Sequence, residues 1–148
     1  MANKRSSGNS GTEVQTEDFR AALESALERA AQDDRIGPLL RAAGLRMRFE
    51  FTDVGLILNV AAAGEDSERL AWSFGDDPDF RPKLELTMDA ETANRYLQGR
   101  ESLAVALARG RAHCRGESRT ALLYLPATRL LCEPYRKVVQ AGYPALAA

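Results

Sequence analysis

Residues 84–125 read LELTMDAETANRYLQGRESLAVALARGRAHCRGESRTALLYL. Alternating apolar residues at the start of this stretch predict a strand, and two segments with helical spacing follow. Asp89 is a candidate cap of the first helix, which ends near Gly99, and Gly110 closes the second helix. Alternation between Gly110 and Gly116 predicts another strand, after which a last apolar segment begins. The order strand, helix, helix, strand, helix is therefore expected in this part of the chain.

Before this stretch, apolar residues recur first at helical spacing and then at every second position. Helical spacing predicts a helix that begins at Thr16 and fades by Asp33, and a short helical turn over 39–43. A period of two then predicts three strands, which we expect to form an antiparallel meander with the strand at 84–88. Their alternating apolar residues lie within 45–51, 56–60 and 70–74, and a turn is predicted at 64–67.

These elements predict an α+β fold with a single five-stranded, mostly antiparallel sheet and helices packed on one face. Residues 1–15 are rich in Ser, Gly and Asn and are interpreted as a flexible tail. The domain is expected to span 16–140, and 141–148 are expected to form a C-terminal tail. Pro126 and Pro134 interrupt the last apolar segment, so the helix there should be kinked or segmented.

Composition excludes several classes of function. The 148 residues carry a net charge of −1, and no nucleic-acid partner is indicated. Two cysteines and one histidine are too few for a zinc site, and no glycine-rich nucleotide motif is present, so no metal or cofactor is expected. No apolar run is long enough for a transmembrane helix, and the low cysteine content is typical of a cytoplasmic protein.

The only histidine, His113, precedes Cys114, which raises the possibility of a thiol nucleophile. Successive residues of a strand point to opposite faces, so these two side chains should not form a catalytic dyad. The favoured interpretation is an exposed His113 and a buried Cys114. Cys132 is expected to be a small core residue. Because no acid–base pair stands out either, the chain is predicted not to be an enzyme.

Charge is distributed unevenly. Residues 1–94 hold 11 basic and 18 acidic side chains, whereas 95–148 hold 9 and 3. The C-terminal arginines could attract acidic head groups, coenzyme phosphates or an acidic partner, or they could form an ordinary solvated face. The arginines in question are Arg100, Arg109, Arg111, Arg115, Arg119 and Arg129.

The stretch 84–125 resembles the sterol carrier protein domain family, a group of non-catalytic lipid-binding and lipid-transfer domains. Gly99, Gly110 and Gly116 are separated by ten and then five residues, and Ala106 lies in the short helix before the middle glycine. An amphipathic helix and a meander that opens with FEFTD precede the stretch, which is the order found in the family. The resemblance covers about residues 17–135.

The resemblance implies that sheet and helices enclose an apolar tunnel for a sterol, fatty acid, fatty acyl-CoA or similar lipid, with a volume of about 300–1,000 Å³. Residues expected to line it are Met47, Phe49, Phe51, Leu58, Trp72, Phe74, Leu86, Leu107, Leu122, Leu125 and Leu130. Periodicity alone leaves open whether this face lines a cavity or is a filled core. The alternative is an accessory or dimerisation module that binds a second copy or another protein.

Overall fold

The computed structural model describes residues 15–62 and 70–148. Within these ranges the α-helices are α1 Thr16–Gln32, α2 Ile36–Ala43, α3 Ala90–Leu97, α4 Leu103–Ala108, α5 Ser118–Ala127, α6 Cys132–Gly142 and α7 Pro144–Ala147. The strands are β1 Arg46–Phe51, β2 Leu56–Ala62, β3 Leu70–Phe74, β4 Leu84–Met88 and β5 Ala112–Gly116. A 3₁₀ turn, Thr128–Leu131, joins α5 to α6. The predicted turn at 64–67 and nearly all of the predicted N-terminal tail lie outside the described residues.

The five strands form one mixed sheet in the order β3-β2-β1-β4-β5, with helices on one face. Three neighbouring pairs are antiparallel, as expected, and β1 and β4 are parallel. The predicted four-stranded meander is therefore wrong for β4, which lies beside β1 with Phe49 opposite Leu86. Alternation tells which face of a strand is buried and does not tell which strand it joins.

The connection between β3 and β4 explains this placement. Residues 75–83 run across the outer face of the sheet, and outward side chains of β1 and β2 hold them there. Asn59 donates to the Gly75 carbonyl at 2.9 Å, and Arg48 donates to the Asp77 carbonyl at 3.3 Å. Arg46 lies over the Phe80 ring at 4.7 Å. A loop thus performs the parallel crossover that usually requires a helix.

The inner face of the sheet and the helices share one core. Phe19 of α1 meets Phe51 of β1 edge-to-face, with ring centroids 4.9 Å apart, and Tyr135 of α6 at 6.4 Å. All three rings are at most 2% exposed. This cluster ties α1 and α6 to the centre of the sheet.

The last apolar segment is divided into α5, the 3₁₀ turn and α6, as the two prolines predict. Pro126 lies in the last turn of α5, where it has no amide hydrogen for the carbonyl of Leu122. Pro134 lies in the first turn of α6, where its missing hydrogen costs little. Gly116, the last residue of β5, adopts φ 146° and allows the turn into α5.

The C-terminal residues differ from the expected tail, because α6 continues to Gly142 and α7 follows it. Leu146 is 2% exposed, and its carbonyl accepts hydrogen bonds from Asn94 at 3.0 Å and Gln98 at 2.8 Å. Tyr135 in turn donates to the Asn94 side chain at 2.7 Å. This buried network attaches the end of the chain to α3 and α6.

Candidate ligand-binding site

A small cavity lies between the inner face of the sheet and the helices. Its volume is about 30 Å³, and its accessible lining is wholly apolar. The lining comes from three strands, three helices and the 3₁₀ turn: Leu23, Ala26, Leu27, Phe49, Phe51, Leu58, Leu86, Met88, Ala93, Tyr96, Leu97, Thr128, Leu131 and Tyr135. We call this space the interior cavity.

The hydroxyl groups around the interior cavity are all engaged elsewhere. The hydroxyls of Tyr96 and Thr128 lie 2.6 Å apart, Thr128 is 2.7 Å from the Leu125 carbonyl, and Tyr135 donates to Asn94. Burial raises the pKa of Tyr96 to about 12 and also raises the pKa of Tyr135. Both phenols are therefore neutral at ordinary pH, and the interior cavity offers a guest apolar contact.

The volume of the interior cavity differs from the sequence-based expectation. The interior cavity measures about 30 Å³, whereas sites for lipid-sized ligands measure about 300–1,000 Å³. In the described residues, the space between sheet and helices is a nearly filled core. A lipid there requires the surrounding helices to move outward.

Four residues expected to line a tunnel do line the interior cavity: Phe49, Phe51, Leu58 and Leu86. Met47 lies on the same face at the opposite end of β1 and is fully buried away from the cavity. Leu130 is half-buried against the core. Whether any of these residues contacts a ligand stays a prediction.

Trp72 and Phe74 lie on β3, an edge strand, and are only half-buried. Trp72 lines a surface hollow between α1, α2 and β3 with residues such as Pro38. Phe74 lies beneath the guanidinium of Arg20, 4.8 Å from the ring centroid. Both side chains are on the expected face at a sheet edge, and neither lines the interior cavity.

Leu122 is 79% exposed, contrary to the expectation that it lines a tunnel. Tyr124 marks the inward face of α5, because its hydroxyl donates a hydrogen bond to the carbonyl of Gly44 at the end of α2. Leu122, two positions earlier, therefore points to the outer surface.

Leu107 and Leu125 lie together in a second, larger space, a surface groove of about 790 Å³. We call it the arginine groove. Its lining is Tyr96, Gly99, Arg100, Glu101, Ser102, Leu103, Ala104, Leu107, Leu125, Pro126, Arg129, Cys132, Glu133 and Arg136. Tyr96 lines both spaces, so this residue is part of the wall between the arginine groove and the interior cavity.

Sequence reasoning identified the strand side of the interior cavity better than the helix side. It did not single out Leu23, Ala26 and Leu27 of α1, or Ala93, Tyr96 and Leu97 of α3, as lining residues. Their helical spacing identified each as core-facing. Which part of the sheet each helix covers depends on tertiary packing, which periodicity does not reveal.

His113 and Cys114 leave opposite faces of β5, since they lie opposite Thr87 and Leu86 of β4. The expectation that Cys114 is buried is wrong, because this side chain is exposed. Cys114 lies on the inner face of the sheet, but β5 is an edge strand and its residues after Ala112 are exposed. Cys132 is half-buried in the arginine groove, with its sulfur 3.7 Å from the Tyr96 carbonyl.

Within residues 15–62 and 70–148, no group of three or more His, Cys, Asp or Glu side chains is arranged to hold a metal ion. No helix in that part of the chain has the length and apolar character required to cross a bilayer.

Comparison with solved structures identifies the fold. Sterol carrier protein 2 from Yarrowia lipolytica superimposes with a TM-score of 0.58 at 11% identity, covering 82% of this chain and 96% of that protein. The sterol carrier protein domain 2 of Helicoverpa armigera gives a TM-score of 0.57 at 13% identity, covering 82% and 94%. The chain has the sterol carrier protein 2 fold. The predicted α+β class and the resemblance drawn from the glycine spacing are confirmed at the level of the fold.

Two further solved structures that resemble this chain are of other kinds of protein. A ubiquinone synthesis protein, UbiJ-SCP2, gives a TM-score of 0.54 at 16% identity, covering 80% of this chain and 96% of that one. An inverting sec-alkylsulfatase from a Pseudomonas species gives 0.50 at 11% identity, but the match spans only 14% of that enzyme. No protein-family model and no curated protein matches the chain.

Proposed function

We propose that the protein binds and carries a hydrophobic ligand between the sheet and the helices, without catalysing a reaction. The observation that carries this proposal is the interior cavity itself. It is lined by apolar surface, its hydroxyl groups are engaged elsewhere, and it lies in a fold that sterol carrier proteins also have. A guest of sufficient hydrophobicity would gain from burial there without any specific polar contact.

The wall most suited to yield is the one formed by α5, the 3₁₀ turn and α6. The helix layer is interrupted there, and Pro126 removes one helical hydrogen bond beside the turn. Thr128 and Leu131 of the turn line the interior cavity, whereas Arg129 and Cys132 line the arginine groove. Outward displacement of this turn would join the two spaces.

The energetic balance permits such an opening. Burying about 12 methylene groups contributes about 10 kcal/mol at about 0.8 kcal/mol each. Association and ordering cost about 4–15 kcal/mol, so the net affinity is modest and depends on how easily the wall moves. Selection by volume and apolar area fits the sterol, fatty acid and acyl-CoA classes.

The two internal methionines provide a site-specific test. Met88 lines the interior cavity, whereas Met47 is buried on the same sheet face without lining it. With ¹³C-labelled methionine methyl groups, a dodecyl-chain ligand should shift the Met88 resonance saturably and leave Met47 nearly unchanged. Replacing Met88 by Leu assigns the signal and conserves the volume of the side chain.

The opposite result would be equally clear. If dodecan-1-ol, dodecanoate and a sterol all leave both methyl resonances unmoved, with no binding by calorimetry, the lipid proposal fails. The nearly filled core would then be a structural core, and the accessory-module alternative would replace the proposal.

A further inference from the structure

The arginine groove combines an apolar floor with a cluster of positive charge. Leu103 and Leu107 of α4 and Leu125 of α5 contribute apolar surface. Arg129, Cys132, Glu133 and Arg136 recur at helical spacing and all line the groove. The groove therefore has a continuous polar edge formed by the 3₁₀ turn and α6.

Two of its arginines have no acidic partner in 15–62 or 70–148. Among the described residues, neither Arg129 nor Arg136 forms a salt bridge within 4.0 Å. Arg136 extends toward the loop after α3. Its Nη1 atom is 4.0 Å from the position that a Cβ atom would have at Gly99. The charges of both arginines act on the Cys132 thiol, lowering its pKa against the larger rise caused by burial. Arg129 and Arg136 lie about one helical turn before and after Cys132 on the same edge of the groove.

The acidic side chains of the groove are engaged by other bases. Glu101 is bound by Arg95, at 2.8 Å, and by Arg111. Glu133 is 3.6 Å from Lys137 on the next turn of α6. The third arginine of the groove, Arg100, donates to the carbonyls of Ala147 and Ala148. Among the residues that the structure describes, Arg129 and Arg136 are therefore the two arginines of the groove that remain available to an anion.

We propose that the arginine groove binds the anionic head group of an amphipathic ligand, a carboxylate or phosphate, through Arg129 and Arg136. The apolar floor would hold the adjacent part of the chain, and Tyr96 separates this position from the interior cavity. This inference rests on the proposed function and narrows it to anionic single-chain lipids. Arginine suits the role because its planar guanidinium can donate two parallel hydrogen bonds to such oxygens.

The test compares ligands that differ only in the head group. Dodecanoate, dodecyl phosphate and dodecan-1-ol are titrated by calorimetry at low salt, with inorganic phosphate as the head group alone. Both anions should bind about tenfold or more tightly than the alcohol, and added salt should reduce this preference. The ratio of dodecanoate to dodecyl phosphate affinity distinguishes a carboxylate site from a phosphate site.

Variants then locate the preference. Arg129→Gln and Arg136→Gln should each lower affinity for the anions about tenfold and leave that for dodecan-1-ol unchanged. Arg119→Gln, at an exposed position of α5 outside the groove, is the matched control and should change neither. Equal thermal unfolding of all three variants verifies that the fold is retained.

The other outcomes test the head-group site and the carrier function separately. If the alcohol and the anions bind equally and the variants change nothing, the head-group site is refuted and the carrier function stands. If no dodecyl ligand binds, the head-group inference fails, and the proposed function fails with it when a sterol does not bind either. If inorganic phosphate binds as tightly as dodecyl phosphate, the groove is a site for free anions and the lipid assignment is overturned.

Discussion

The hydroxyl groups of Tyr96 and Thr128 lie 2.6 Å apart and join α3 to the 3₁₀ turn between α5 and α6. Tyr96 lines both the interior cavity and the arginine groove, while Thr128 lines the interior cavity. The hydrogen bond therefore holds part of the wall that would move if the two spaces joined. A buried polar contact of this kind stabilises the closed form and sets part of the cost of opening it.

Removing the Tyr96 hydroxyl should loosen this wall. Tyr96→Phe leaves Thr128 bonded to the Leu125 carbonyl, so we expect a loss of about 0.5–1.5 kcal/mol in the free energy of unfolding. Urea denaturation measures it. Tyr143→Phe is the control, because Tyr143 is half-buried and no hydrogen bond joins its hydroxyl to the described residues. Equal stability of the two variants would refute a role for the bond in holding the wall.

Gly116 should tolerate substitution poorly. Its φ of 146° is unusual for other residues, and an added Cβ would lie 2.8 Å from both the Leu84 side chain and the Lys83 carbonyl. Gly116→Ala should therefore lower the free energy of unfolding by about 2–4 kcal/mol. In Gly110→Ala the backbone is also left-handed but the space is open, so a loss of only about 1–2 kcal/mol is expected. Thermal and urea unfolding distinguish the two; a smaller loss at Gly116 than at Gly110 would show that β4 adjusts easily.

The parts of the fold that depend on the local spacing of apolar residues were predictable from the sequence. The alternation around Phe49 and Leu86 identified strands and their buried faces, and Asp89 does cap α3, accepting from the Thr92 amide at 2.7 Å. The placement of β4 beside β1 was not predictable in the same way. It depends on polar contacts such as Asn59 to the Gly75 carbonyl, which hold a crossing loop on a face that alternation alone assigns to solvent.

The candidate site was predictable only in part, for a related physical reason. Sheet residues such as Phe51 and Leu58 were expected on the interior side and line the interior cavity. Leu122 and Cys114 were misplaced because apolar character indicates a preference for burial, while exposure at α5 and at the β5 edge depends on what covers them. The volume of the interior cavity depends on how the helices pack against the sheet and against one another. The hydrophobic periodicity of the sequence does not reveal this packing.

Stability should fall in alkaline solution because of the buried phenols. Burial raises the pKa of Tyr96 from 10.0 to about 12, and the pKa values of Tyr124 and Tyr135 are also raised. Between pH 10 and 12 the unfolded chain loses these protons first, so the folded state binds more protons and its stability decreases as pH rises. Below pH 10 these tyrosines do not make the free energy of unfolding depend on pH.

Urea unfolding at pH 8, 10 and 11 measures this dependence. Tyr96→Phe should reduce the alkaline slope by up to one proton. An unchanged slope in Tyr96→Phe would mean that this phenol titrates normally in the folded protein.

His113 and Cys114 should not support catalysis together. Their side chains leave opposite faces of β5, so no proton can pass directly between them. His113→Ala and Cys114→Ala should each leave any ester or thioester hydrolysis of the purified protein within about twofold of the parent. A fall of more than about tenfold, equivalent to about 1.4 kcal/mol in the barrier, would assign one of them to a reaction.

The two thiols provide a direct report on occupation of the arginine groove. Cys114 is exposed at the β5 edge, whereas Cys132 is half-buried in the groove. Neutral iodoacetamide should therefore alkylate Cys114 about tenfold or more faster, because access of the reagent limits the reaction of Cys132.

Dodecanoate bound through Arg129 and Arg136 should slow alkylation of Cys132 further, and leave Cys114 unchanged because it lies outside the groove. Peptide mass spectrometry measures both rates in one sample, and Arg136→Gln should reduce the protection. Dodecanoate that protects both thiols equally would indicate non-specific coating of the protein by the amphiphile. Protection of neither thiol at saturating dodecanoate would place the bound ligand away from the arginine groove.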